Sequence, residues 1–136
     1  MKKVFVDTNY FLRFLIKDES SRQKKTVENL FYQAVEGELQ LFTNSLVFFE
    51  VYWVLTSFYQ ITARRALESL GDLLKLGFIQ LEDRALLSKA IKLSDQSSLE
   101  LEDCFHLLYA IDEGASQLAT FDKKLRKLAK VRLGVS

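Results

Sequence analysis

Lys3-Val4-Phe5-Val6-Asp7-Thr8-Asn9 is the stretch that decides the fold. Its first half reads as a short buried strand, after which the chain turns polar and passes into helical spacing. Asp7 therefore stands at the C-terminal end of a strand, beyond which open parallel sheets keep their ligand crevice. The segments that follow repeat the alternation. Val27, Leu30, Phe31 and Ala34 form a helical stripe within residues 21 to 36, and Gly37 stops it. Residues 39 to 43 give a second strand. The apolar run from Leu46 to Tyr59 is too long for an ordinary strand and predicts a buried helix capped by Asn44 or Ser45. Thr62 caps another helix, with Leu67, Leu70 and Leu74 on one face; Gly77 introduces a brief strand over 78 to 81, and 84 to about 95 is helical again.

In the remainder, Ser97-Ser98-Leu99-Glu100 has the form of a capping box, which predicts a helix from about residue 99 or 100 to Glu113, ended by Gly114. Residues 117 to 120 are strand-like, which would place Asp122, like Asp7, after a strand; the two acids meet if those strands are neighbours. A last helix is expected over about 123 to 130, before a short apolar end from Val131 to Val135. Alternating strands and helices predict an α/β fold, a mostly parallel sheet covered on both faces with right-handed crossovers. No linker or repeat divides the 136 residues, 49% of them hydrophobic, so one domain over 1–136 is expected.

Composition excludes several classes. No apolar run reaches the roughly 18 residues of a membrane span, and two lysines lead directly into the first strand, so a soluble, untargeted protein is expected. The single cysteine, Cys104, makes no internal disulfide and stands in no zinc-spaced array, in keeping with a reducing, cytoplasmic setting. Five glycines scattered at 37, 71, 77, 114 and 134 supply neither a dinucleotide loop nor a P-loop. The net charge of +1 does not suit a nucleic-acid coat protein, but its distribution is uneven. Between Glu82 and Glu113 stand eight acidic and three basic residues; from Asp122 onward one acid faces six cations, Lys123, Lys124, Arg126, Lys127, Lys130 and Arg132. Those cations offer a track for a polyanion, or an ordinary solvated surface.

Four acids far apart in the chain carry the chemistry. Asp7 and Asp122 either hold metal or cap the helices that follow them, a cap being worth about 0.5–2 kcal/mol. Glu50 lies within Leu46-Val47-Phe48-Phe49-Glu50-Val51-Tyr52-Trp53-Val54-Leu55, where a buried carboxylate needs a partner. Metal is one such partner; Arg13 or Arg64 is another, and exposure at a domain edge removes the need. Asp103 has Glu100 one turn back and His106 one turn forward, and two acids three apart repel unless a cation is near. The capping box competes for Glu100, and His106 reads as a surface or packing residue. Oxygen donors alone suit hard Mg2+ or Mn2+ better than zinc, and such a site fits hydrolysis of a phosphodiester. Repulsion among the acids would make metal binding stabilise the fold.

The order Val6-Asp7-Thr8-Asn9, a glutamate within an apolar helix, Glu100-Leu101-Glu102-Asp103 opening a helix, and Thr120-Phe121-Asp122 resembles the PIN domain through nearly the whole chain. Size and alternation also resemble the VapC-type toxins of prokaryotic toxin–antitoxin pairs. The resemblance implies a three-layer α/β/α sandwich and a Mg2+- or Mn2+-dependent endoribonuclease, with Asp7, Glu50, Asp103 and Asp122 as its acidic quartet. Asn9 and Thr120 match the small polar residues beside the first and last acids, and Glu100 takes the place of an additional acid, often aspartate in relatives. Implied partners are RNA, a second copy of the chain and a small VapB-type antitoxin.

Two rivals stand beside this reading: a noncatalytic α/β interaction module whose acids are caps and solubilising charges, and a phosphatase with Asp7 as nucleophile. The phosphatase wants a second aspartate two residues on, where this chain has Asn9. The aromatic-rich segments from Tyr10 to Ile16 and Phe48 to Tyr59 suit a core, or else a dimer face or inhibitor groove.

Overall fold

The structure is a computed structural model that describes residues 1–16 and 21–134. The chain packs as two compact units, Met1–Arg84 and Ala85–Ser136. In the first, three short strands, β1 (Lys3–Phe5), β2 (Gln40–Thr43) and β3 (Ile79–Leu81), alternate with α1 (Thr8–Leu15), α2 (Ser21–Val35), α3 (Ser45–Ser57) and α4 (Ala63–Leu74). The strands form a parallel sheet in the order β1-β2-β3, with Val4 beside Leu41 and Phe42 beside Gln80. A mixed α/β architecture with a parallel sheet flanked by helices is what the alternation predicts. Strand order follows chain order, so no reversal point lies among the described strands.

Local chemistry explains most boundaries. Gly37 takes φ 79°, a left-handed turn that ends α2. Asn44 caps α3 by accepting from the Val47 amide at 3.1 Å, and Thr62 caps α4 by accepting from Arg65 at 3.3 Å. The Arg84 guanidinium donates to the carbonyls of Leu74, where α4 ends, and Ile79, where β3 begins. The core gathers on aromatic rings: Phe11 of α1, fully buried, packs against Phe31 of α2 and Phe48 of α3 with centroids 6.3 and 5.7 Å away. Leu41 of the central strand is fully buried, as are Val51 and Leu55 on the inner side of α3 and Leu70 of α4.

In the second unit, α5 (Arg84–Ser97), α6 (Leu101–Asp112) and α7 (Lys123–Leu133) are helices, and α6 packs against α7. Leu87, Leu101 and Leu107 are fully buried, and α7 buries Leu125 and Ala129 while exposing its cations. Two expectations fail here. Residues 117 to 120 form no strand; Thr120 Oγ1 instead accepts from the Asp122 amide at 3.1 Å, and the Arg126 guanidinium donates to the Thr120 carbonyl at 2.6 Å. Local side-chain bonds of this kind compete with a sheet ladder for the same backbone. The capping box is also not formed. Helix α5 runs on to Ser97, whose hydroxyl donates back to Leu93 at 2.6 Å; Ser98 turns left-handed at φ 65°, and Glu100 caps α6 without a side-chain bond. Val131 and Leu133 extend α7 rather than forming a separate end, and the expectation for Val135 lies outside the described residues.

Candidate functional site

Where β1 ends, the backbone is pinned on both sides. The Val6 amide donates to Phe42 at 2.8 Å, and the Thr43 hydroxyl, buried, donates to the Val6 carbonyl at 2.9 Å. Asp7 is thereby delivered to the top of the sheet as the N-cap of α1, with its Oδ1 accepting from the Thr8 amide at 2.7 Å. The next residue reaches across to another helix. Thr8, 9% exposed, donates its hydroxyl to Glu50 Oε1 at 3.3 Å, a tie between residues 42 apart in sequence. Asp7, Thr8 and Asn9 at the opening of α1, with Glu50 and Trp53 on α3, line one recess of ≈ 430 Å³. Leu12, Phe49 and Val54 give it apolar walls.

The first unit thus brings together Asp7, Asn9 and Glu50 of the expected site, and adds two residues that were not expected to line it. Thr8 is the link, and Trp53 is a recess wall. Helical spacing was the available signal for Trp53, three residues beyond Glu50 and so on the same side of α3. Burial of Glu50, expected from its apolar neighbours, is overturned: the residue is exposed. The helix turns its apolar side inward through Val47, Phe48, Val51 and Leu55, while Leu46, Glu50 and Trp53 share the outer side. Neither Asp7 nor Glu50 enters an ion pair among the described residues, so Arg13 and Arg64 do not serve as its partners there. Arg13 instead donates to Gln23 Oε1 at 2.5 Å.

In the second unit, Asp103 lies in the first turn of α6 and is half-buried, with Glu100 at the N-cap exposed and His106 exposed one turn on. Asp122 is exposed and caps α7, its Oδ1 accepting from the Leu125 amide at 2.9 Å. Its place after a strand is corrected, because no strand precedes it; Thr120 fixes the approach to the cap instead. Lys123, Lys124, Arg126 and Lys127 are all exposed on the first turns of that helix. Cys104 is fully buried beside Asp103, with its sulfur 3.9 Å from Ser97 Oγ. Burial pushes the thiol above its ordinary pKa; the Ser97 bond offsets part of that shift, and the Asp103 charge adds to it. The thiol is a packing group with no reactive character.

The recess fits a hard divalent ion in donor chemistry. Two carboxylates outside any ion pair among the described residues line one hollow with Thr8 and Asn9, and no sulfur or imidazole lines it with them. Among the described residues of either unit, no three His, Cys, Asp or Glu side chains group closely enough to hold an ion by themselves. Mg2+ commonly keeps several waters and takes only one or two carboxylates, so the Asp7–Glu50 pair suffices for a partial protein shell.

No helix among the described residues is long and apolar enough to cross a membrane. The sequence matches the PIN domain family over residues 4–131. No curated protein sequence matches the chain. PIN domains are generally nucleases that act on RNA or DNA and use divalent metal.

Proposed function

Because the chain belongs to the PIN domain family, we propose that it is an endoribonuclease dependent on Mg2+ or Mn2+, with Asp7, Glu50, Asp103 and Asp122 as its acidic residues. The observation that carries the proposal is the tie between Thr8 and Glu50 beside Asp7, which sets two carboxylates of distant sequence on one recess. Asp103 and Asp122 enter through the motif resemblance. When bound, the ion supplies positive charge against that growing on the phosphoryl oxygens during in-line attack by water. Asp7 is held by its bond to the Thr8 amide and presents a carboxylate at the end of β1. Thr8 fixes one oxygen of Glu50, and that carboxylate orients the attacking water and accepts its proton. Asn9 supplies a neutral polar wall, and Thr120 holds the backbone that leads to Asp122. The exposed cations Lys123, Lys124, Arg126 and Lys127 steer the RNA backbone.

We further propose that the chain is the toxin of a VapBC-type pair, acting as a homodimer and held inactive by a small VapB-type antitoxin. Size, element order and motif series support that reading.

Incubation of the protein with total cellular RNA and Mg2+ or Mn2+, with mapping of the ends, tests the reaction class. Discrete fragments are expected from the wild type, and none from Asp7→Asn or with chelator. A phosphomonoester substrate should remain intact. Equal fragmentation by Asp7→Asn, or turnover of the monoester in place of RNA, overturns the proposal.

A further inference from the structure

The sequence contains one tryptophan, Trp53, and it is 65% exposed, unusual for so large an apolar ring. It lies one turn beyond Glu50 on α3 and lines the recess that also holds Asp7 and Thr8. Three residues of α-helix rise only about 4.5 Å, so the indole and the Glu50 carboxylate are close enough to meet neighbouring parts of one nucleotide chain. We propose that Trp53 is a stacking platform for an unpaired base next to the phosphodiester held at Asp7 and Glu50. The platform rests on the ribonuclease reading of that recess and adds to it a residue that grips an unpaired base beside the cut.

The chemistry of the surroundings favours a base over a protein face. Leu46, 64% exposed, and Trp53 stand seven residues apart on the same side of α3, with Glu50 between them. A protein surface laid over both would take the Glu50 carboxylate out of water between two apolar groups, at a cost of several kcal/mol. A base stacked on the indole alone covers apolar area and leaves Glu50 open to water and the sugar–phosphate chain. Stacking on an aromatic side chain tolerates any base, so the platform sets strandedness and grip while leaving base identity open.

Because Trp53 is the one indole, its fluorescence reports on this site alone. The Asp7→Asn protein, which retains the indole, is titrated with a single-stranded oligoribonucleotide, with the same strand annealed to its complement, and with an abasic strand of equal length. Quenching by the single strand and not by the other two is expected. Trp53→Ala should raise the KM for single-stranded RNA by roughly 5- to 150-fold with kcat little changed, and Trp53→Phe should recover part of that loss. Equal quenching by the abasic strand, or unchanged KM in Trp53→Ala, overturns the platform while leaving the nuclease reading in place. Quenching by the single strand with no cleavage of any RNA by the wild type keeps the platform and removes the nuclease reading. Loss of self-association in Trp53→Ala, measured by light scattering, with KM unmoved, makes Trp53 a protein contact and likewise overturns it.

Discussion

Replacing Phe11 with alanine should damage the fold and the site together, because one ring serves both. Phe11 is fully buried and its ring meets Phe31 on α2 and Phe48 on α3. Truncating such a ring removes its transfer free energy and leaves a cavity, together worth about 3–5 kcal/mol. Native domains hold only about 5–15 kcal/mol in all, so the loss is a substantial share of the total. In urea, with an m-value of about 2 kcal/mol/M, the midpoint should fall by roughly 2 M. Phe121→Ala is the internal control, because that ring is 98% exposed and its removal should stay within about 0.5 kcal/mol. The functional arm follows from position. Phe11 fixes α1, whose N-cap is Asp7, against α3 two residues before Glu50, and a displacement of about 1 Å between reacting groups costs up to about 100-fold in rate. Folded Phe11→Ala, assayed well below its midpoint, should therefore cleave RNA far more slowly than wild type. A midpoint shift no larger than that of Phe121→Ala would refute the packing argument, and full activity in the folded variant would refute its link to the site.

Three further outcomes follow from particular contacts. Thr8→Val and Glu50→Ala, combined in a double-mutant cycle read by urea denaturation, should couple by about 0.5–1.5 kcal/mol through the 3.3 Å hydrogen bond; additive effects would show the bond carries nothing. Asn44→Ala should cost about 1 kcal/mol by leaving the Val47 amide without its cap, whereas Asn44→Asp should cost far less. The raised Cys104 pKa means the native state keeps a proton that the unfolded chain gives up in alkali. Its stabilising contribution is full below the ordinary thiol pKa and is lost as pH climbs toward the raised one, so wild type should lose stability relative to Cys104→Ala across that window; a constant difference would contradict the assignment.

What the sequence made legible was whatever depends on local bonds. Asn44 and Thr62 are caps because their side chains satisfy amides three residues on, and Gly37 ends α2 because a left-handed φ suits glycine. A strand requires a partner that no local pattern can supply, and the expectation for residues 117 to 120 failed: at its end the Thr120 carbonyl and the Asp122 amide take local side-chain partners instead. The box at Ser97 failed because α5 extended to absorb its hydroxyl, leaving Ser98 to make the turn. Glu50 shows a different limit. From Leu46 to Leu55 nine of ten residues are apolar, which suggests burial throughout, yet a helix has an outer side, and Leu46, Glu50 and Trp53 lie on it. The acid gains its significance from the Thr8 hydroxyl rather than from an apolar enclosure. Position after a strand likewise supports Asp7 alone; Asp122 rests on its cap and on the motif Thr120-Phe121-Asp122.

The central claim, that the four carboxylates serve one metal-dependent reaction, is tested most directly by calorimetric titration of Mn2+ into wild type and into Asp7→Asn, Glu50→Gln, Asp103→Asn and Asp122→Asn, each shown to be folded. The account predicts that each substitution weakens binding at least about tenfold, the equivalent of about 1.4 kcal/mol. Wild-type affinity retained in both Asp103→Asn and Asp122→Asn, or no saturable binding by the wild type, would contradict it.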